Sequence, residues 1–229
     1  MCGRFAQSPK VESIFKRYRF VGDSAYSGAP RYNIAPTQPV PVILRDEEGT
    51  HCEFMRWGLV PHWASAYNSG KPLINARAET VAEKPSFKTP FRRHRCLVPA
   101  TGFYEWKPNG THKTPYFIRR TDEQPVCFAG LWDRWDVDDG SILHSFSIIT
   151  TRANALVKPI HDRMPVILDE ADEAIWLNTE EHNPEHLHAL LNPYPAEAMC
   201  AYAVSPVVNG VEYDSPDCLA RGQEQGDLF

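Results

Sequence analysis

Residues 96–106, CLVPATGFYEW, place two short apolar segments on either side of a Thr-Gly pair. CLVPA (96–100) and FYEW (103–106) have the length and the branched or aromatic composition of β-strands bounded by turn residues. Further segments of this kind are VPVIL (40–44), FMRWGLV (54–60), PYFIRR (115–120), VCFAGLW (126–132), LHSFSIIT (143–150) and PVIL (165–168). Pro, Gly or Asn bounds these segments, so the pattern predicts a strand-rich centre.

Helix signals stand at both ends of this centre. Ser8 and Pro9 form a helix start, and apolar residues at helical spacing follow them, so residues 9–19 are predicted to form an amphipathic helix. EADEAIWL, after the capping residue Asp169, and PEHLHALL predict two more helices. Strands and helices do not alternate. The pattern therefore favours an α+β fold, a single compact domain with a mainly antiparallel, barrel-like β core and peripheral helices.

The composition is that of a globular protein. The chain has 229 residues, of which 42% are hydrophobic and 23% charged, and it lacks the apolar run of roughly 18 residues that a membrane-spanning helix needs. No basic-then-apolar leader opens the sequence, so we expect no membrane partner and a cytoplasmic location. We expect one domain over residues 1–218, followed by a flexible polar tail over residues 219–229.

The cysteines and histidines predict neither disulfides nor a metal site. The six cysteines include no CxxC pair, and disulfides are rare in the cytoplasm. The histidine-rich stretch EEHNPEHLH (180–188) differs from the zinc-binding HExxH motif, and Pro184 opposes a helix that carries both His182 and His186. We therefore predict no metal and no cofactor.

The charges are distributed unevenly. The net charge is −5, but residues 1–120 contain 19 Lys and Arg against 9 Asp and Glu, whereas residues 121–229 contain 5 against 20. Such a chain can present a basic face that steers a polyanion, or the asymmetry reflects solvated surfaces only. The basic run KTPFRRHR (88–95) leaves the same two possibilities, a nucleic-acid path or a solvated turn.

The first residues, MCGRF, place a cysteine at position 2. Loss of Met1 would expose the α-amine and the thiol of Cys2 two carbons apart. Such a 1,2-aminothiol captures an aldehyde first as an imine and then closes a five-membered thiazolidine ring. At their ordinary pKa values, about 8 for the amine and about 8.5 for the thiol, both groups are partly in their reactive forms at neutral pH.

Glu105 and His161 are candidate proton-transfer groups. In FYEW, strand alternation places Tyr104 and Trp106 on one face and Phe103 and Glu105 on the other. A carboxylate among aromatic side chains is desolvated, which raises its pKa toward the range useful for acid–base catalysis. The alternatives stay open: an edge-strand Glu105 that faces water, and a structural role for His161 in IHDRMP.

The ordered set of motifs resembles the SRAP family, the SOS-response-associated-peptidase-like proteins that crosslink to abasic sites in single-stranded DNA. The resemblance extends over about 210 residues and rests on CGRF, RYNIAP, RWGLVPHW, INARAET, RCLVPATGFYEW, FAGLWD, SIITTRAN and HDRMPVIL, in that order. It implies a compact domain with a barrel-like core and a positively charged groove. It also implies a nucleoid-associated protein when DNA is bound.

The resemblance implies catalytic roles for four residues. Cys2, freed by loss of Met1, would be the nucleophile that captures the ring-opened abasic sugar. Glu105 would shuttle protons, and His161 would assist opening of the sugar ring. Asn75 would orient the sugar or the Cys2 main chain. The implied activity is covalent DNA–protein crosslinking that shields the lesion, with accessory lyase cleavage and a peptidase activity that removes Met1.

The resemblance also implies DNA contacts. Arginines would hold the flanking phosphates, and Trp106 would offer a stacking surface to a base. The implied DNA-binding residues are Arg4, Asn33, Arg77, Trp106, Thr151 and Arg163. A structural role for Asn75 and surface ion pairs for the arginines are the alternatives.

A second motif lies at the end of the chain. QGDLF (225–229) resembles the pentapeptides by which bacterial repair proteins dock on the sliding clamp, with Gln225, Leu228 and Phe229 as the anchors. A tail without function is the alternative. We expect a monomer.

Two other functions remain open. A thiol peptidase or amidase of the N-terminal-nucleophile type would use the same Cys2, Glu105 and His161, with Asn75 at the oxyanion. A noncovalent single-strand-binding module would make Cys2 incidental, and its complexes would not survive denaturation.

Overall fold

The computed structural model describes residues 2–22, 26, 28–67 and 71–222. In these residues the strands are β1 (Phe5–Gln7), β2 (Arg31–Ile34), β3 (Pro39–Arg45), β4 (Thr50–Trp57), β5 (Asn75–Arg77), β6 (Arg95–Ala100), β7 (Gly102–Asn109), β8 (His112–Arg120), β9 (Val126–Asp136), β10 (Ile142–Arg152), β11 (Arg163–Pro165), β12 (Ile167–Leu168) and β13 (Met199–Ala203). The α-helices are α1 (Glu12–Phe15), α2 (Pro85–Arg93), α3 (Glu170–Trp176) and α4 (Pro184–Ala189).

A closed barrel of five strands forms the centre. Its order is β10-β4-β3-β6-β9, and β9 pairs back onto β10 through seven residue pairs from Ile142–Asp136 to Ile148–Gly130. The β4–β10 pair is parallel and the other pairs are antiparallel. The predicted α+β fold with a mainly antiparallel, barrel-like core and peripheral helices is confirmed.

A second, antiparallel sheet covers the barrel, in the order β13-β8-β7-β1-β2. Phe5 of β1 packs edge-on against Trp57 at 5.1 Å and against Phe128 at 5.9 Å between ring centroids. Its side chain is completely buried, and burial of one phenylalanine contributes about 1.5–3 kcal/mol. This packing fixes the first residues of the chain between the two sheets.

The predicted strands are all present; most extend further than predicted, and two end or divide differently. The segment from Phe54 stops at Trp57 because Gly58 takes a φ of 128°, a conformation that interrupts a strand. PVIL (165–168) is divided between β11, which pairs with β10, and β12, which pairs with β9. The change of partner occurs at Val166, whose backbone bonds to both neighbours.

The helix predictions hold in outline. Residues 9–19 form a 3-10 turn (Pro9–Val11) and then α1, with Val11, Ile14 and Phe15 buried as expected. The helix is shorter than predicted because the next backbone bonds, at Arg17 and Tyr18, reach back only three residues. α3 begins after Asp169, whose carboxylate accepts the N–H of Asp172, and α4 begins after Asn183.

The basic run at residues 88–95 is neither a turn nor wholly solvated. It lies in α2, which buries Phe87 and Phe91, and in the start of β6. Arg95 is buried, and its guanidinium donates to the carbonyls of Phe91, Arg92, Trp176, Asn178 and Glu181. Arg95 therefore joins the ends of two helices and is not available to a nucleic acid.

The C-terminal segment packs on the second sheet. Val204 forms a bridge with Arg221, and Gly222 donates its N–H to Ala203. The predicted clamp anchors Gln225, Leu228 and Phe229 lie outside the described residues. None of the helices in the described ranges combines the length and the apolar character needed to cross a bilayer.

Candidate active site

The site forms where the chain start meets the second sheet. Cys2 lies three residues before the start of β1, and β1 pairs with β7 through Phe5–Phe103 and Ala6–Gly102. The N–H of Tyr104 donates to the carbonyl of Arg4 over 2.9 Å, which continues the pairing toward the chain start. This register brings Cys2 beside the part of β7 that contains Glu105.

Asn75 ties Cys2 to the barrel. It begins β5, a short strand parallel to β10, and its Nδ2 donates to the carbonyl of Cys2 over 2.8 Å. No donor in the described part of the chain reaches the Oδ1 of Asn75, which is buried. The predicted orienting role has this geometry: Asn75 holds the Cys2 main chain and leaves one acceptor for another group.

The thiol of Cys2 is completely buried. Burial raises the pKa of this thiol far above its usual value, and the negative charge of Glu105 adds to the effect. The sequence-based expectation of a partly ionised thiol is wrong for this environment. The sulfur is therefore a protonated thiol at neutral pH.

Glu105 is the carboxylate whose charge acts on this thiol. β7 lies between β8 and β1, so Glu105 is not on an edge strand, and its residue surface is 3% exposed. Burial raises the pKa of Glu105 to about 7. Phe103 packs in the core between the sheets, whereas Tyr104 and Trp106 pack in a separate cluster, as the alternation predicts.

His161 stands next to Glu105. Its Nδ1 lies 3.9 Å from the Oε1 of Glu105 and accepts the backbone N–H of Arg163 over 3.0 Å. Because Nδ1 accepts this bond, the proton of the neutral ring is on Nε2. Burial lowers the pKa of His161. A carboxyl with a raised pKa thus lies near an imidazole with a lowered one.

Arg4, Asn33 and Trp106 form one cluster on the face of the second sheet that also carries Tyr104. Arg4 Nη1 donates to Asn33 Oδ1 over 2.6 Å and to the Val208 carbonyl over 2.8 Å, and its guanidinium lies 5.6 Å from the Trp106 ring centroid. Trp106 donates through Nε1 to Asn209. Asn33 is buried, and its amide donates to the carbonyls of Val208, Gly210 and Tyr213. The loop at 208–213 gave no signal in the sequence.

The remaining candidates lie around β10. Arg77 is exposed at the end of β5, opposite Thr150, and Thr151 is buried opposite Met164. Arg163 forms a two-bond ion pair with Glu79. Glu79 was not among the residues predicted from the sequence. In the described ranges no cluster of three His, Cys, Asp or Glu side chains has the geometry to hold a metal ion.

Comparisons with known proteins agree with this architecture. The family model described as SOS response associated peptidase (SRAP) matches residues 1–211. The abasic site processing protein YoqW of Bacillus subtilis is 41% identical over 223 residues, covering 96% of this chain and 99% of YoqW. The abasic site processing protein HMCES of Gallus gallus is 36% identical over 223 residues, covering 83% of this chain and 66% of HMCES. The crystal structure of a protein from Bacteroides thetaiotaomicron superposes with a TM-score of 0.86 at 32% identity, covering 96% of this chain and 100% of that one.

Proposed function

The chain belongs to the SOS response associated peptidase (SRAP) family, and from that premise we propose that it processes abasic sites in single-stranded DNA by covalent capture. Loss of Met1 exposes the α-amine of Cys2. The amine and the thiol together bind the C1′ aldehyde of the opened sugar as a thiazolidine. The adduct shields the lesion during replication and repair. One observation carries the proposal: Glu105 is buried beside Cys2 with its pKa raised to about 7.

The first chemical step is imine formation. The α-amine, partly neutral at pH 7, attacks the aldehyde carbon and forms a carbinolamine. The carbon–oxygen bond then breaks, and the hydroxyl leaves as water with a proton from protonated Glu105. With a pKa of about 7, Glu105 is present in both protonation states near neutral pH, so it serves as acid in this step and as base in the next.

The second step closes the ring. Loss of water leaves an iminium ion that keeps the hydrogen on its nitrogen. The sulfur adds to the iminium carbon, the nitrogen takes the electron pair and becomes a neutral amine, and the carboxylate of Glu105 accepts the thiol proton. The net reaction joins the aldehyde and the aminothiol with loss of one water. Because burial keeps the thiol protonated, the amine attacks first and the sulfur follows.

His161 and Asn75 prepare the sugar and the nucleophile. With Nδ1 bound to the backbone of Arg163, His161 donates only through Nε2, and a bond from there to the ring oxygen favours the open aldehyde. Asn75 holds the Cys2 carbonyl, which orients the amine. Arg4 and Trp106 form a cationic and aromatic surface for the flanking strand, with Asn33 as the support of Arg4.

A thiol peptidase is a weaker proposal because acyl transfer needs a thiolate, which burial of Cys2 disfavours. Strand cleavage at the captured site, removal of Met1 by the same groups, and docking of Gln225, Leu228 and Phe229 on a sliding clamp are separate proposals. Deletion of residues 225–229 tests the last: it should abolish clamp binding and leave capture intact.

Intact mass spectrometry after incubation with an abasic single strand tests the proposal. We expect the mass of the chain without Met1 plus the strand minus one water, stable to heat and detergent. Cys2→Ser should give only an imine that borohydride must trap, because the hydroxyl does not replace the sulfur. Cys52→Ser, at a half-buried cysteine outside the site, is the matched control. An equal adduct on Cys2→Ala, or one on a chain that keeps Met1, would contradict the proposal.

A further inference from the structure

Glu79 lies near Arg77 and Arg163, two arginines for which the family resemblance implies DNA contacts. It follows β5 by two residues, so its backbone is close to that of Arg77. Its carboxylate accepts from Arg163 Nη1 over 2.6 Å and from Nη2 over 3.0 Å. The hydrogen bond from Arg163 is the largest influence that holds the pKa of Glu79 below its usual value, and the charges of Arg163 and Arg77 add to it. Glu79 is therefore an ionised carboxylate at neutral pH.

The guanidinium of Arg163 is committed to protein atoms. Besides the two bonds to Glu79, Nη2 donates to the carbonyl and the hydroxyl of Thr150. The Arg163 side chain is 16% exposed, whereas that of Glu79 is 51% exposed. Arg163 cannot offer a two-bond contact to a phosphate while the carboxylate occupies the same edge of the guanidinium.

A carboxylate and a phosphate bind the arginine fork in the same way, with two parallel N–H···O bonds. The carboxylate of Glu79 is half exposed, so it can leave Arg163 for water at little cost. The phosphates of a strand carry a high charge density, which favours the exchange.

We propose that Glu79 is an internal competitor for the DNA backbone: its carboxylate occupies Arg163 in the free protein, and a phosphate of the bound single strand displaces it. This inference rests on the proposed function in so far as single-stranded DNA is the ligand. Glu79 thereby lowers the affinity of the protein for any single strand. Only a strand that also binds in the Cys2 site is then held tightly.

The test measures equilibrium binding of an undamaged single strand over a range of salt concentrations. An undamaged strand has no aldehyde, so covalent capture does not contribute, and failure of capture at abasic sites is a separate result. The proteins are the wild type, Glu79→Gln, Arg163→Gln, the double variant and Glu83→Gln. Glu83 is exposed four residues further along and is the matched control for loss of one negative charge.

We expect Glu79→Gln to bind the strand about two- to fivefold more tightly, because loss of an exposed ion pair changes a binding constant by about that factor. The slope of log affinity against log salt should stay the same, because Arg163 contacts a phosphate in the complexes of both proteins. In the Arg163→Gln background, Glu79→Gln should give no such gain of affinity, and Glu83→Gln should give none in the wild type.

Three results would overturn the inference. Weaker or unchanged binding by Glu79→Gln would mean that Glu79 supports Arg163 instead of competing for it. An equal gain of affinity in the Arg163→Gln background, or with Glu83→Gln, would mean that only the general charge matters. Loss of cooperative unfolding in both Glu79→Gln and Glu79→Ser would make Glu79 a structural residue.

Discussion

Two glutamates of this protein are almost equally buried and are used in opposite ways. Glu105 in β7 is 3% exposed and Glu173 in α3 is 4% exposed. The carboxylate of Glu173 accepts two bonds from Arg17, at 2.9 and 3.0 Å, and one from the Tyr18 hydroxyl at 2.7 Å. Glu105 faces His161 at 3.9 Å, and its pKa is raised to about 7.

The difference shows that burial alone does not make a carboxyl reactive. A buried charge is costly unless a partner of opposite charge and enough hydrogen bonds compensate it. Arg17 and Tyr18 supply that compensation to Glu173, which links α1 to α3 as a permanent ion pair. Glu105 sits beside an imidazole whose own pKa is lowered, and burial outweighs the influences that lower the pKa of this carboxyl. In the proposed function, one glutamate contributes to stability and the other to proton transfer.

The largest effect is expected from removal of the reactive carboxyl. Glu105→Gln should slow capture of an abasic strand by about 10²–10⁴-fold, the usual loss when a positioned acid–base group is removed. Its unfolding free energy at neutral pH should not fall, because an amide needs no compensating charge. The measurement is single-turnover adduct formation, with Glu53→Gln, a more exposed glutamate paired with His144, as control. A loss below tenfold would mean that another group moves the proton.

The next effect is expected from the compensated carboxyl. Glu173→Gln should lower the unfolding free energy by about 3 kcal/mol, the lower end for a broken buried pair, because Arg17 also contacts the exposed Glu170. Urea denaturation measures this loss. Capture by the folded variant should proceed at the wild-type rate. A capture rate that falls with stability unchanged would reverse the two assignments.

The pH dependence of stability separates the two further. The pKa of Glu105 is raised from 4.5 to about 7, so its favourable contribution is complete below about pH 4.5 and is lost as pH rises through 7. The unfolding free energy of the wild type relative to Glu105→Gln should therefore fall by up to about 3 kcal/mol between about pH 4.5 and 8. Denaturation at several pH values measures the difference. A difference that rises with pH would contradict the raised pKa.

The smallest effect is expected from a change at the partner of Glu173. Arg17→Lys keeps the charge but loses the two-bond geometry, so it should cost about 1 kcal/mol. Urea denaturation again gives the value, and the capture rate should not change. A cost equal to that of Glu173→Gln would mean that the geometry of the pair matters more than its charge.

The central strands were predictable because each contains enough apolar residues to be recognised locally. β1, β2, β5 and β13 were not predicted, since Phe5–Gln7 and Asn75–Arg77 are three residues long and become strands only through their neighbours. α2 contains Pro90 and three basic residues, which concealed the buried pair Phe87 and Phe91. Closure of the barrel depends on the parallel pairing of β4 with β10, where Arg56 lies opposite Ser145, and no local pattern shows this long-range contact.

The candidate site was predictable to a similar extent. Cys2, Asn75, Glu105 and His161 come together as the motifs predict, with contacts from Asn75 to Cys2 and from His161 to Glu105. Glu79 and the loop at 208–213 were missed because their roles depend on distant partners, Arg163 and Arg4. The buried state of the thiol was missed because burial depends on how both sheets cover the chain start.

Infrared difference titration of Glu105 tests the central claim most directly. The carbonyl stretch of a protonated carboxylic acid, assigned by its absence in Glu105→Gln, reports the protonation state of this one side chain as pH changes. The account predicts a midpoint near 7, within about one unit, and a shift of that midpoint when Cys2 carries an adduct. A midpoint near the ordinary value of 4.5 would show that Glu105 is a permanent carboxylate and cannot give the proton that imine formation needs.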